Sequence, residues 1–447
     1  MEPMSFSYRE RLAEKLGEAL SLEAREATPR LVHGPIVFPG KATAVIGMRR
    51  AGKTTFMLLE RQKRMRQGVP AERLIYVNFE DERLAGLPAD QLHFLTEEYY
   101  RRFPAHRKRD TVAWFFDEIH SVPGWERFIR RLLDTEKADV FISGSSAALL
   151  SRELATAMRG RSWEVVIHPF GFEEYLRHHK REIPGPADLL SPDRRSTLER
   201  AFLDYLSGGG FPEAQHLDSA GKRQLLLDYV DVTILRDVVE RHKIGNFTAL
   251  RWLVRQLLGN AGGLFSVEKF YAAVKSQSIA VSRDSLHEFV SFLQDCFLVR
   301  GLWIEAESER KRMVNPRKFY PIDPALIPLF DRTGRANRGH ALETAVFLEL
   351  ERRRMEITYV RTPAGREVDF LVRDADKRTT LIQTCADMSD QETAKREFLS
   401  LEEAGRIFPQ ARRLILTLTA ETPRLEVPEG ITVEPAYTWI LGKEDQG

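Results

Sequence analysis

Short apolar runs alternate with stretches of helical period along this chain. Residues 42–46, 74–79, 112–116, 138–142 and 163–167 are near-continuous apolar runs, which predicts strands buried on both faces of a parallel sheet. Ahead of them, Leu12, Leu16, Ala19 and Leu20 fall near one face of a helix spanning about residues 7–26. Such a helix is expected to pack on the domain that follows it.

Beyond residue 170 the pattern changes. Residues 170–245 read as mostly helical. They are interrupted by a loop over 181–192, with Pro184, Gly185, Pro186 and Pro192, and by Gly208-Gly209-Gly210, which marks a turn or a hinge. Residues 228–242 read as a charged helix whose Arg236-Asp237 pair faces solvent or a domain interface. Leu250, Leu253, Leu257 and Leu258 then mark a helix. Ser266 caps a second over 267–275 and Ser282 a third over 283–296. Strands over 297–304 and 318–322 follow, joined by a connection that carries Arg310, Lys311, Arg312, Arg317 and Lys318. Three helices and a basic hairpin are the order of a winged helix, which tracks DNA phosphates or serves protein contacts. The last module reads helix 341–354, strands 357–361, 367–373 and 381–384, helix 392–404 and strand 413–418.

Composition narrows the class without choosing a partner. A length of 447 residues leaves room for two to four domains, and 67 Lys and Arg balance 65 Asp and Glu, so net charge neither favours nor excludes nucleic acid. The cysteines, Cys296 and Cys385, form neither a disulfide framework nor a zinc pattern, which fits a reducing compartment. Met1-Glu2-Pro3-Met4 does not open a signal peptide, and no apolar run approaches the roughly 20 residues that span a bilayer. A cytoplasmic protein is expected.

The chemistry concentrates in Gly47-Met48-Arg49-Arg50-Ala51-Gly52-Lys53-Thr54, which follows the first apolar run and opens a helix. The spacing G-x-x-x-x-G-K-T is that of a phosphate-binding loop. Gly47 and Gly52 permit the turn, and backbone N–H groups at a helix N-terminus then face an anion. Gly47, Arg50, Ala51, Gly52, Lys53, Thr54 and Thr55 are the expected ATP-binding set. Lys53 would hold the β- and γ-phosphates and the Thr54 hydroxyl would hold Mg²⁺. Asp117 and Glu118 end the third apolar run. Asp117 is expected to hold Mg²⁺ through water, and Glu118 to activate the attacking water.

Further residues at strand ends invite a role. Asn78 would hydrogen-bond Glu118 or cap its own strand. Ser143 or Ser145 would face the ligand crevice and sense the γ-phosphate or position the water, unless Ser145 or Ser146 merely caps the next helix. Arg161, with Arg159 as the alternative, would reach a γ-phosphate in its own or a neighbouring subunit.

Taken together, GMRRAGKTT, LIYVNFED, WFFDEIHSVPGWE, FISGSSAALLSRELATAMRGR and HPFGFEEYL resemble the AAA-type P-loop ATPases of a prokaryotic family with an uncharacterised C-terminal module. YLSGGGFPEA, YVDVTILRDVVER, KFYPIDPAL and GHALETAVFLELERR extend the resemblance through the second half. It implies Mg-ATP binding and hydrolysis. The expected architecture is α/β: an N-terminal helix (1–30), a P-loop NTPase domain of AAA type with a parallel sheet (31–170), a helical region (171–245), a winged helix (246–331) and an α/β module (332–447).

That last module resembles the restriction-endonuclease-like fold. There an acid, an Asp and a Glu/Gln-x-Lys triplet hold a divalent metal. Glu343, Asp369 and Gln383 stand in order, but the triplet Gln383-Thr384-Cys385 has a thiol where the lysine belongs, with Lys395 as a distant substitute. A degenerate, inactive nuclease fold is expected. Three functions compete: a DNA-associated ATPase, a nucleotide-gated protein switch and, least favoured, an ATP-dependent nuclease.

Overall fold

In the computed structural model, residues 7–23, 26–144, 156–183, 192–331, 337–420 and 425–442 are described. They fall into two compact units, Met1–His168 and Pro169–Gly447. The serines at 145 and 146 and the Pro-Gly segment from 184 lie outside the described residues.

The first unit is built on β1 (Ala42–Ile46), β2 (Leu74–Asn78), β3 (Val112–Asp117), β4 (Ala138–Ser143) and β5 (Ser162–Val166), in the order β2-β3-β4-β1-β5. Every neighbouring pair is parallel. The apolar runs of β1 and β3 are covered on both faces, as their lack of alternation requires, while the edge strands β2 and β5 are only partly covered. Val45, Phe56, Met57, Leu74, Phe115, Phe141 and Val165 form one cluster, with Phe115 stacked on Phe141 at 4.7 Å between centroids. The leading helix is Tyr8–Leu20, opened by a reciprocal Ser7–Glu10 capping box, and it buries Leu12, Leu16 and Ala19 against this unit. Arg61, only 2% exposed, staples it there: its guanidinium donates to the carbonyls of Ala19, Leu22 and Leu74.

The second unit holds two sheets. The smaller is antiparallel, in the order β6 (Leu264–Phe265), β8 (Arg317–Pro321), β7 (Val299–Leu302). Helices Phe247–Gly259, Val267–Ser276 and Arg283–Asp295 precede its hairpin, and the Ser266 and Ser282 hydroxyls cap the last two as expected. β7 starts later than its apolar run because Phe297 takes a left-handed conformation (φ 60°) just beyond the helix end. The basic connection is not an extended hairpin tip. Ser308 caps a short helix, Glu309–Val314, in which Lys311 pairs with Glu307 at 3.1 Å and Arg312 with Glu309 at 3.5 Å.

The larger sheet has the order β13 (Ile431–Pro435), β12 (Arg412–Thr417), β11 (Thr379–Cys385), β10 (Glu367–Arg373), β9 (Glu356–Arg361). Helices Arg338–Arg352 and Gln391–Ile407 accompany it, and Ala436–Leu441 ends the described chain. β13 and that final helix carry no strong apolar period and escaped the sequence reading. Among the described residues, no helix is long and apolar enough to cross a membrane.

The Gly208–Gly210 break is a tightly packed turn. A Cβ on Gly210 would lie 2.1 Å from the Phe170 carbonyl oxygen, and the Gly210 N–H donates to the Asp323 carboxylate at 2.7 Å. The charged helix that follows is α-helical over Ser219–Thr233 and widens into a π-helical turn over Ile234–Glu240, with Arg236 paired to Glu240.

Candidate nucleotide site

Strands β3, β4 and β1 are parallel neighbours, so Asp117, Ser143 and the loop after Ile46 emerge at one edge of the sheet. β1 and β3 are two strand spacings apart, about 10 Å. That gap has room at the strand ends for a phosphate and its attacking water.

The loop is held by backbone geometry. Gly47 has φ 144°, Arg50 φ 64° and Gly52 φ 102°. A Cβ on Gly47 would sit 2.1 Å from the Ile167 carbonyl oxygen, so only glycine lets the chain leave β1 beside β5. Gly52 stands at the N-cap of helix Lys53–Arg66 with no side-chain cap, so backbone N–H groups of the first turn remain available to an anion. The Lys53 ammonium arches over the loop and donates to the carbonyls of Gly47 at 3.0 Å and Met48 at 3.2 Å. Thr54 and Thr55 are exposed on the first helical turn, and Thr54 lines a cleft shared with Tyr76 and Asn78. Arg30, which no spacing rule singles out, clamps the loop from the N-terminal segment. It donates to the Ala51 carbonyl at 2.8 Å and to that of His168.

Asp117 is buried, with one carboxylate oxygen accepting from Tyr76 Oη at 2.6 Å and the other from the Ser143 hydroxyl. Ser143, fully buried, also accepts from the Glu118 N–H at 3.1 Å, so one hydroxyl orients both acids. This makes Ser143 a positioning residue turned towards the acids, a role its place at a strand end only hinted at. Glu118 takes a left-handed conformation (φ 51°), and its carboxylate lies 3.1 Å from His120 Nδ1. Burial alone would raise the Glu118 pKa. His120, Lys53 and Arg49 outweigh it and hold the group below the usual carboxylate range, ionised at neutral pH.

The structure decides between the two readings of Asn78 and places Arg161 away from the loop. Asn78 pairs in register with Asp117, but its side-chain oxygen accepts from the Glu80 N–H at 2.9 Å, so it caps its own strand end instead of holding Glu118. Arg161 sits at the opposite edge of the sheet. Its carbonyl accepts from the Ala42 N–H at the start of β1, roughly 16 Å of strand from the loop, and its guanidinium pairs with Asp134. It does not reach the nucleotide loop of its own chain.

In the second unit, Glu343 and Asp369 do converge, with Gln383 beside them. Lys395 is exposed and does not complete the group. The lysine present is Lys318 of β8, 65 residues upstream of Gln383 and therefore invisible to any local spacing rule.

A family model described as an AAA domain matches residues 39–176, and one for a domain of unknown function, DUF8612, matches residues 199–334. The uncharacterized protein MJ1544 of Methanocaldococcus jannaschii is 32% identical over 378 residues, covering 82% of this chain and 79% of the archaeal protein. The chain belongs to the family of that protein. A further relative of the family, an uncharacterized protein of Haemophilus influenzae, is 26% identical over 334 residues, covering 74% of this chain and 80% of its own length. Within the family's N-terminal unit, residues 39–176 are a P-loop domain of AAA type. Among solved structures, the Walker-type ATPase of Pyrococcus abyssi aligns over 72% of this chain and 95% of its own at 13% identity, with a TM-score of 0.38. The Aeropyrum pernix ORC1 protein, solved in complex with DNA, aligns over 74% and 92% at 18% identity, with a TM-score of 0.28.

Proposed function

We propose that this protein binds and hydrolyses ATP in a Mg²⁺-dependent reaction. The observation that carries the reading is the Ser143 hydroxyl bridging Asp117 and Glu118 at the sheet edge where the phosphate-binding loop emerges. The residues suit the ligands: a helix start without a side-chain cap for phosphate, and a hydroxyl and a carboxylate as hard oxygen ligands for a divalent cation. Thr54 and Asp117 would hold Mg²⁺, which when bound neutralises charge developing on the phosphates. Lys53 exchanges its loop carbonyls for the β- and γ-phosphates. Glu118, ionised, takes the proton of the attacking water, and Ser143 and Tyr76 keep the acids in place.

For the second unit we read residues 246–331 as a winged helix that contacts duplex DNA, with Arg310 on the exposed Glu309–Val314 helix. A second reading, a nucleotide-gated protein-binding switch, is favoured by Met313 and Val314. They are 72% and 75% exposed at the end of the same helix, where an apolar tip suits a protein surface better than a phosphate backbone. The cationic side chains Lys311 and Arg312 are already paired with Glu307 and Glu309.

Steady-state ATP hydrolysis with Mg²⁺, with and without duplex DNA, tests both levels. Hydrolysis that disappears in Glu118→Gln supports the ATPase, and stimulation by DNA lost in Arg310→Ala supports the DNA contact. Hydrolysis indifferent to DNA transfers the reading to the protein switch. Wild-type protein that binds ATP but does not turn it over overturns the hydrolase.

A further inference from the structure

The acidic cluster of the second unit contains its own cation. Lys318 is 1% exposed, on the central strand of the small sheet. Its ammonium lies 2.9 Å from Glu343 Oε1, 3.0 Å from Asp369 Oδ1 and 2.8 Å from Glu367 Oε1. The ammonium donates to Glu343 and Asp369 at the distances of charge-assisted hydrogen bonds, and Glu367 adds a third close carboxylate.

Most of the other polar atoms around Lys318 are engaged or covered. Asp369 Oδ2 accepts from Thr384 N at 3.0 Å and Thr384 Oγ1 at 2.8 Å. Glu343 Oε1 accepts from Tyr320 Oη at 2.8 Å. A Cβ on Gly262 would lie 2.6 Å from Glu343 Oε2, so backbone covers that side. The Gln383 amide is used at both ends: its oxygen accepts from Asp369 N at 3.1 Å and its nitrogen donates to Glu397 at 2.8 Å. The residues therefore do not fit a divalent metal. The oxygens that would ligate one surround a nitrogen, and among the described residues no group of three or more His, Cys, Asp or Glu side chains could hold a metal ion.

We propose that Lys318 is the resident cation of this cluster, taking the place of a divalent metal and locking the three-stranded sheet to helix Arg338–Arg352 through Glu343 and to the C-terminal sheet through Asp369 and Glu367. The C-terminal module is then metal-free by construction, and its acids act as a latch across the second unit. The carboxylates' demand for positive charge agrees with this. Despite burial, which would lower it, Lys318 has its pKa raised well above the ordinary lysine value by Asp369 and Glu343.

The test is Mn²⁺ binding followed by electron paramagnetic resonance on the full chain without nucleotide, so that the outcome is independent of the ATPase reading. Wild type and Asp369→Asn are expected to bind the same number of Mn²⁺ ions. Lys318→Met is expected to gain one Mn²⁺ per chain, lost again on adding Asp369→Asn, and Mn²⁺ is expected to raise the melting temperature of Lys318→Met but not of wild type. Wild type that binds one more Mn²⁺ than Asp369→Asn overturns the proposal, because a metal then shares the site with Lys318. So does a folded Lys318→Met that gains none. If Lys318→Met does not fold, the comparison of wild type with Asp369→Asn decides alone.

Discussion

Glu118 and His120 are set against each other at the sheet edge, carboxylate to Nδ1 at 3.1 Å. Burial raises the Glu118 pKa, and His120, Lys53 and Arg49 bring it below the usual range. A base with a depressed pKa stays ionised to lower pH, so hydrolysis should persist on the acid side. Removing His120 leaves the burial effect less opposed. His120→Ala should therefore move the acid limb of the kcat profile upward in pH. A pH–rate profile from 5 to 9 measures it, and an unmoved limb would assign control to another group.

Ser143→Ala removes a buried donor to Asp117 and the acceptor of the Glu118 N–H together. Leaving such groups unsatisfied costs about 1–3 kcal/mol. If that cost falls on the transition state, kcat should drop roughly 10- to 100-fold while ATP affinity changes little. Arg161→Ala, whose side chain pairs with Asp134 at the opposite edge, should leave kcat unchanged. A large kcat loss in Arg161→Ala that depends on protein concentration would instead show the arginine acting on a neighbouring chain's nucleotide.

Much of this site was legible because its logic is local. Gly47, Gly52, Lys53 and Thr54 stand at fixed spacing, and Asp117-Glu118 ends a run too apolar to be anything but an interior strand. The order of the first sheet's strands and of the three helices before the small sheet's hairpin was legible for the same reason, down to the caps Ser266 and Ser282. What stayed hidden depends on partners far apart in the chain. Arg30 meets Ala51 and His168, Tyr76 meets Asp117, and Lys318 meets Asp369 only after the chain folds. The Glu309–Val314 helix was hidden for another reason: its basic residues suggested the hairpin of a winged helix, while Ser308 and the Glu307–Lys311 pair supply helical turn chemistry.

Gly47→Ala should cost both stability and affinity. The new Cβ would meet the Ile167 carbonyl at 2.1 Å, and φ 144° is unfavourable to any other residue. The strain is about 1–3 kcal/mol, and ATP affinity should fall more than about tenfold as the loop shifts. Gly17→Ala is the control. It lies within helix Tyr8–Leu20 with nothing within 4 Å of the added carbon, and should stabilise by about 0.5–1 kcal/mol. Thermal melts of the two variants should move in opposite directions, and nucleotide titrations should change for Gly47→Ala alone.

Asp323 provides a pH signature for the second unit. It is buried, with its oxygens accepting from Gly210 N at 2.7 Å and Ala325 N at 2.9 Å. Burial outweighs those bonds and pushes its pKa up to about 6, so the folded state prefers the proton. Its contribution to stability is complete below the unfolded value near 3.9 and is lost as pH rises towards 6. Acidification also protonates other carboxylates, so the contrast with Asp323→Asn is what isolates the group. The asparagine does not titrate, and its single carbonyl oxygen serves only one of the two N–H donors. Wild type should exceed Asp323→Asn in stability at pH 4.5 by about 2 kcal/mol more than it does at pH 7.5. Urea unfolding at both pH values measures the difference, and an equal gap at the two would mean that Asp323 stays ionised between Gly210 and Ala325.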